Sequence, residues 1–384
     1  MEVGCGSVRT EVRAVRDPED LARFITLPWR IYTRDSLWVP PLLAERRRFL
    51  DRSRNPFFRH AEVEYFLAWR GAEPIGRICA HVDRRLDEHQ GTAWGLWGLF
   101  ECRDDPEAAH ALLGAAEGWL RARGRERMVG PLDFSTNHPC GLLVDGHELA
   151  PQILEPWQHP YYRRLVEGFG LGKAMDLLKW EQRLDDRERL LPAGRALAGG
   201  LERSHGIRIR HMRRRDLMAE VRRFLDVYHA AWSDHWGFVP LTEAEVEEYA
   251  RTLRPVLDPD WALIAERDGK TVGAALALPD YNQVLRRLDG RLLPLGWLRA
   301  LGARRRIDEV RVFALGVVPE WQRAGVAAGL YVELFRAAER TGIKRAEAGW
   351  ILETNEEMNR AMEAVGARVV KRHRIYEKRV APAD

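Results

Sequence analysis

Gln322, Arg323 and Gly325 lie between two patterned stretches. Before them is a run of β-branched and apolar residues, Val310 to Val318, closed by Pro319. After them Ala327, Leu330, Leu334, Ala338 and Thr341 recur at helical spacing. A strand, a glycine turn and a helix present free backbone N–H groups to an anion. The first turn of a helix has donors without intrahelical partners, and the helix dipole is positive there. Gly325 allows the backbone to approach a ligand closely, and Ala327 and Ala328 add little bulk. The chemistry predicted for this stretch is capture of an anion.

The surrounding chain must supply a scaffold for that turn. At 384 residues, 46% of them apolar, it is long enough for two domains with real cores. A net charge of +4 argues against nucleic acid as a partner. Arginine greatly outnumbers lysine and alanine is common, which suggests a GC-rich genome. The cysteines, Cys5, Cys79, Cys102 and Cys140, are scattered and form no metal-binding spacing, so no metal is expected. Cys79 and Cys102 read as buried thiols. The N-terminus lacks a long apolar run, and no stretch reaches membrane-spanning length. The expectation is a soluble cytoplasmic bacterial protein; oligomeric state stays open.

Two similar series of elements succeed one another. Glu11 to Val15 reads as a strand and Asp17-Pro18-Glu19 as a helix start. Val63 to Trp69 and Pro74 to Val82 read as a hairpin, Trp94 to Cys102 as a strand, Pro106 to Arg123 as a helix and Arg127 to Gly130 as a strand. Ala174 to Leu184 reads as a closing strand. The second series starts at Ile207 to Arg210, continues through a helix from Met212 to Ala231, and has a capping box at Thr242 to Glu245. A hairpin through Asp268-Gly269 comes next, then the central stretch, a strand from Ala346 to Ile351 and a helix from Asn355 to Val365. The boundaries expected are residues 1–185 and 207–384, with 186–206 as a linker.

Gln322-Arg323-Ala324-Gly325-Val326-Ala327 resembles the Q/R-x-x-G-x-G/A signature of the GNAT acyltransferase superfamily. Leu315, Gly316 and Val317 fit the strand end that precedes it, and Ala328 extends the helix start. Asn355 and Gly366, eleven residues apart, match the family's Asn and Gly around the next helix. The resemblance implies an α/β (α+β) chain with two GNAT-like acyl-CoA N-acyltransferase folds in tandem. Each would be a mixed, mostly antiparallel sheet flanked by helices. It also implies acetyl-CoA or another acyl-CoA as co-substrate and an amine acceptor, a small molecule or a peptide. In the first series Cys102-Arg103-Asp104-Asp105-Pro106-Glu107 replaces the phosphate turn. Its carboxylates already satisfy that helix start and would repel a pyrophosphate, so this copy reads as degenerate.

Three side chains usual in the family are absent here. Met362 stands where many members have a general-acid Tyr, and Trp350 and Arg311 stand where others have a catalytic Glu. Glu309, Arg311 and Phe313 alternate with Val310, Val312 and Ala314, which puts the charged set on one face of the strand. Glu309 is a candidate base, or an ion-pair partner of Arg304 to Arg306. Arg311 could hold an acceptor carboxylate or form a structural salt bridge. Tyr376 could replace the missing acid or pack in the core. Trp232, Trp236, Phe238 and Tyr281 lie in the loops from which family members build an acceptor pocket; a hydrophobic plug is the other reading. Direct attack of an amine on the thioester is the leading function. A catalytically silent acyl-CoA sensor or scaffold and an aminoacyl-tRNA-dependent transferase are the alternatives.

Overall fold

The computed structural model describes residues 9–33, 36–184, 200–292, 296, 300, 303 and 306–381. They divide into two compact units that are not contiguous in sequence. The first runs through Ala150, resumes at Leu154–Asp176 and includes the segment from His373 onward. The second comprises Pro151–Ile153 and Leu177–Arg372. These boundaries differ from a break at residue 185 with a linker after it, because two short segments group with the unit that is more distant in sequence. Of the expected linker, 186–199 lie outside the described residues.

The first unit is built on β1 (Thr10–Ala14), β2 (Ala61–Arg70), β3 (Glu73–Asp83), β4 (Trp94–Cys102), β5 (Arg127–Gly130), β6 (Leu142–Asp145) and the opening residues of β7 (Gly172–Arg183). Strands β1 to β4 pair antiparallel in order, and β5 runs parallel to β4. The chain's last strand adds Tyr376–Arg379 antiparallel to β5. Helix Pro106–Arg121 buries Ala109, Leu112, Leu113, Ala116 and Leu120, the stripe its spacing predicts. Its N-cap Asp105 accepts from Ala108 N (3.1 Å) and pairs with Arg70 (2.7 Å), so no donor-rich end is left for an anion.

The gap beyond the β4–β5 pairing is also filled. Their register ends at Leu96↔Val129. Past it Leu132 N donates to Trp97 O (2.8 Å), and Leu99 N donates to Asp133 Oδ1 (3.0 Å). A Cβ on Gly98 would lie 1.8 Å from Leu132 O, which shows how closely the loop after β5 is applied to β4.

The second unit continues β7 from Leu177 and adds β8 (Arg208–His211), β9 (Ala262–Arg267), β10 (Lys270–Pro279), β11 (Glu309–Val317), β12 (Arg345–Leu352) and the start of β13 (Arg368–Arg379). Its sheet order is β8-β9-β10-β11-β12-β7, with only β11 and β12 parallel. Asp268 and Gly269 both take positive φ, 49° and 77°, as a two-residue hairpin turn requires. The predicted capping box, Thr242 with Glu245, is formed. Helices Val326–Thr341 and Glu356–Ala364 border one apolar cluster, and helix Leu217–Trp232 packs on β10 and β11.

Deleting residues 373–384 should unfold the first unit's sheet edge. Ile375, Tyr376 and Val380 are buried, and each is worth about 1.5–3 kcal/mol on burial. Hydrogen exchange should show Arg127–Gly130 losing protection while β9 and β10 keep theirs. Undiminished protection of Arg127–Gly130 would contradict the assignment of the last strand to this unit.

Candidate active site

Strands β11 and β12 pair from Glu309↔Arg345 to Val312↔Ala348 and no further, although β11 continues to Val317 and β12 to Leu352. The five residues beyond Val312 give an open wedge about 16 Å long at ~3.3 Å per residue. A bulge marks the parting point. Leu276 pairs with Ala314 and the next residue, Ala277, with Val312, which leaves Phe313 as the extra residue. The alternation of faces therefore flips. Val310 and Val312, then Leu315 and Val317, belong to the apolar core. Gly316 turns the other way, where a Cβ would lie 2.3 Å from the Trp232 ring.

At the mouth of the wedge, Pro319–Ala324 form a 3-10 turn and Gly325 takes φ 82°, a left-handed conformation that disfavours any side chain. Helix Val326–Thr341 begins there with no side-chain cap. Its first N–H groups have the donor-rich character expected from the sequence. Val326 is fully buried, and Ala327, Ala328 and Ala324 are half-buried around it. Gln322 and Arg323 are exposed, and Gln322 Nε2 donates to Val317 O (3.5 Å). Leu315 and Val317 are buried on the core side.

Asn355 caps the helix after β12, accepting from Met358 N (3.1 Å), and its Nδ2 lies 3.4 Å from His235 Nε2. The pair ties the aromatic loop to the β12 turn. Burial lowers the His235 pKa below its ordinary value, against an opposing hydrogen bond to the Trp232 backbone and the charge of Asp234. A neutral imidazole therefore stands beside the wedge at neutral pH. Sequence reasoning passed over His235 among its aromatic neighbours; the signal was a titratable residue inside that loop. Trp232 and Phe238 join one aromatic cluster with Tyr228 (4.9 and 5.4 Å), and Trp236 is half-buried in the same loop.

The other candidates are located elsewhere. Tyr281 comes directly after Asp280 at the opposite end of β11, where Asp280 N donates to Glu309 O (2.9 Å). Glu309 ion-pairs with Arg345 and accepts from Gln152 Nε2 (3.3 Å). Six residues, about 20 Å of extended strand, separate Glu309 from Leu315, which is too far for direct proton transfer at the wedge. Its ion pair is thus with Arg345; Arg304 and Arg305 lie outside the described residues. Arg311 is 1% exposed, so it does not line an open cleft. Its Nη1 donates to Ile153 O (2.5 Å) and its guanidinium lies 4.8 Å from the Trp350 ring. Tyr376 belongs to the first unit, where its hydroxyl donates to Glu167 (3.1 Å), and burial raises its pKa.

The paired part of β11 and β12 carries a charged ladder. Arg311 registers with Glu347 and Glu347 with Glu181. Lys371 holds Glu347 at 2.9 Å with both side chains buried, while Arg345 (3.2 Å) and Arg368 (2.8 Å) hold Glu181. Asp280 lies beside this ladder and accepts from Ile153 N (2.8 Å) and Asn282 N (3.2 Å). Burial, and then Glu309, push its carboxyl up to about 7. On the opposite face is an apolar cavity of about 40 Å³ lined by β7, β11, β12 and the two helices. At ~24 cal/mol per Å3, such a void costs about 1 kcal/mol. Among the described residues, no group of three or more His, Cys, Asp or Glu side chains could hold a metal, and no helix is long and apolar enough to cross a membrane.

No family model matches the chain. It is 37% identical over 373 residues to the bacterial ceramide synthase of Caulobacter vibrioides (strain NA1000 / CB15N), covering 95% of this chain and 96% of that protein. It is 34% identical over 376 residues to Protein YghO of Escherichia coli (strain K12), covering 96% and 95%. The chain belongs to the family of these two proteins. Among solved structures, it is similar to a tandem GNAT protein from the clavulanic acid biosynthesis pathway, with a TM-score of 0.55 and 12% identity over 98% of this chain and 100% of that one. It is also similar to a GCN5-related N-acetyltransferase from Sphaerobacter thermophilus, with a TM-score of 0.51 and 16% identity over 98% and 97%. The fold of this family member is thus GNAT-like in tandem, as the Gln322–Ala327 signature implies.

Asp280 gives a pH test. Its folded pKa is raised from 3.8 to about 7. The stability it leaves intact below pH 4 is lost as pH rises toward 7, because folding then opposes ionisation. Asp280→Asn keeps an oxygen for the two N–H donors and removes that titration. Urea midpoints at pH 5 and pH 8 should show the variant gaining on the wild type as pH rises. Parallel pH dependence of the two would contradict the assigned environment.

Proposed function

We propose that the protein is an acyl-CoA-dependent N-acyltransferase whose co-substrate lies along β11 in the second unit. The observation that carries this reading is the wedge between β11 and β12, with an uncapped helix start and Gly325 at its mouth. A linear thioester cofactor needs a slot for its arm and backbone donors for its pyrophosphate, and both features occur on one strand–turn–helix segment. The 37% identity to a bacterial ceramide synthase supports a particular acceptor. A ceramide is the amide of a long-chain amino alcohol with a fatty acid. We therefore propose a fatty acyl-CoA as donor, in preference to acetyl-CoA, and a long-chain amino alcohol as acceptor.

In this reading the amine nitrogen attacks the thioester carbonyl carbon, the C–S bond breaks, and CoA leaves as a thiol. Backbone N–H groups of β11 near Val317, past the end of its pairing with β12, stabilise the developing oxyanion. His235, neutral and beside Asn355, receives the proton from the amine and passes it to the departing sulfur, so that CoA leaves as a thiol and the imidazole is neutral again. Trp232, Trp236 and Phe238 form the apolar floor under the acceptor. Arg311 and Glu309 act as framework, since each is engaged by neighbouring chain.

Calorimetry with CoA and free-thiol release with fatty acyl-CoA and a long-chain amino alcohol test this. Gly325→Glu should weaken CoA binding at least a hundredfold. Gly325→Ala carries the same left-handed strain, about 1–2 kcal/mol, without the charge, and should lose far less affinity. His235→Gln should lower kcat by about a hundredfold or more with CoA affinity retained. CoA binding without turnover of any amine would support a silent binding module; no CoA binding at all would remove the reading.

A further inference from the structure

The second unit contains a cavity that the cofactor turn does not use. Val310, Val312, Ala346 and Ala348 form its sheet-side wall, and Tyr331 and Met362 close it from the two helices. Val312 and Ala348 are the last paired residues before β11 and β12 part. The cavity therefore lies at the apex of the wedge. Its lining is apolar apart from Gln182 and the Tyr331 hydroxyl, which is turned toward Met362 Sδ at 3.7 Å. A cavity of this chemistry tends to stay dry and to accept hydrocarbon. At about 40 Å³ it holds roughly three water-sized groups. Met362, unbranched and adaptable, is the side chain whose rotation would lengthen it.

The two faces of β11 also meet two separate apolar environments. Gly316 faces the Trp232 ring, whereas Leu315 and Val317 face the helix-side core that continues into the cavity. A thioester held in the wedge thus has the aromatic loop on one side and the cavity on the other. We propose that this cavity is the acyl-chain subsite: it takes the hydrocarbon of a fatty acyl thioester, and Met362 sets how much chain enters. This rests on the acyl-CoA reading above. It assigns the chain to the helix side and leaves the aromatic loop to the acceptor.

The test is calorimetric affinity for CoA and for decanoyl-CoA, below its micellar range, on wild type, Ala348→Leu and Met362→Ala. The ratio of the two affinities isolates the chain's contribution. Ala348→Leu should cut the wild-type ratio at least tenfold, and Met362→Ala should move the preferred chain length upward, read with acyl-CoAs of increasing length. Should Ala348→Leu fail to fold, as judged by its melting transition, Met362→Ala decides. Ratios and length preference within twofold of wild type in folded variants that still bind CoA would overturn the subsite and leave the N-acyltransferase reading standing. Absence of CoA binding by the wild type would overturn both.

Discussion

Two parallel strands that stop pairing halfway set the terms for the whole second unit. Along Glu309 to Val312 the pairing is reinforced by charge: Arg311, Glu347 and Glu181 lie in register across three strands, with Lys371, Arg345 and Arg368 neutralising the carboxylates. Buried ions are costly to leave unpaired, so this half of the strand pair resists opening. Beyond Val312 two features work against continued pairing. The bulge at Phe313 turns β11, and Gly349 takes φ 134° with so little room that a Cβ would lie 2.6 Å from Leu178 O. The wedge is a built feature of the sheet, closed at one end by an ionic ladder and open at the other.

The same ladder explains why Pro151–Ile153 groups with this unit. Arg311 is buried and needs an acceptor, and Ile153 O supplies one; Asp280 is buried and needs donors, and Ile153 N is one of two. Gln152 Nε2 meets Glu309, and Pro151 O accepts from Asn282 Nδ2 (2.9 Å). Three residues of chain thus satisfy four polar groups on and beside the charged face of β11. An unsatisfied buried group costs about 1–3 kcal/mol, more if charged. A short segment can accordingly be held far from its neighbours in sequence.

What was legible in the sequence was local. Gly325 before a helical stripe, Asp268-Gly269 between strands and Thr242 with Glu245 are short-range signals, and each occurs where its spacing indicated. Of the proposed site, the turn and Asn355 were legible as local structure, because a six-residue pattern and an N-cap are contiguous. Side-chain roles were not, because they depend on contacts between distant residues. Arg311 alternates with valines as a cleft residue would, but its environment is decided by Ile153, 158 positions away. Tyr376 comes after the second unit in sequence yet pairs with β5. The place of Tyr331 beside Met362 likewise depends on two helices packing together.

The two units answer one geometric problem in opposite ways. In each, a parallel pair ends early, after Leu96↔Val129 in one and Val312↔Ala348 in the other. Backbone left unpaired inside a protein must find partners. In the first unit the chain provides them itself, since Leu132 N and Asp133 Oδ1 bond the backbone of Trp97 and Leu99 and the loop leaves no room for a side chain at Gly98. In the second unit Gly316 is crowded by the Trp232 ring, which offers no comparable row of backbone partners. The ring covers one face of β11 while the edge toward β12 stays free of strand pairing beyond Val312. One edge is thus filled by its own chain, and the other is left as the wedge. In the first unit the loop after β5 fills the edge, and in the second the bulge at Phe313 and the crowded Gly349 keep β11 and β12 apart while the Trp232 ring covers only a face.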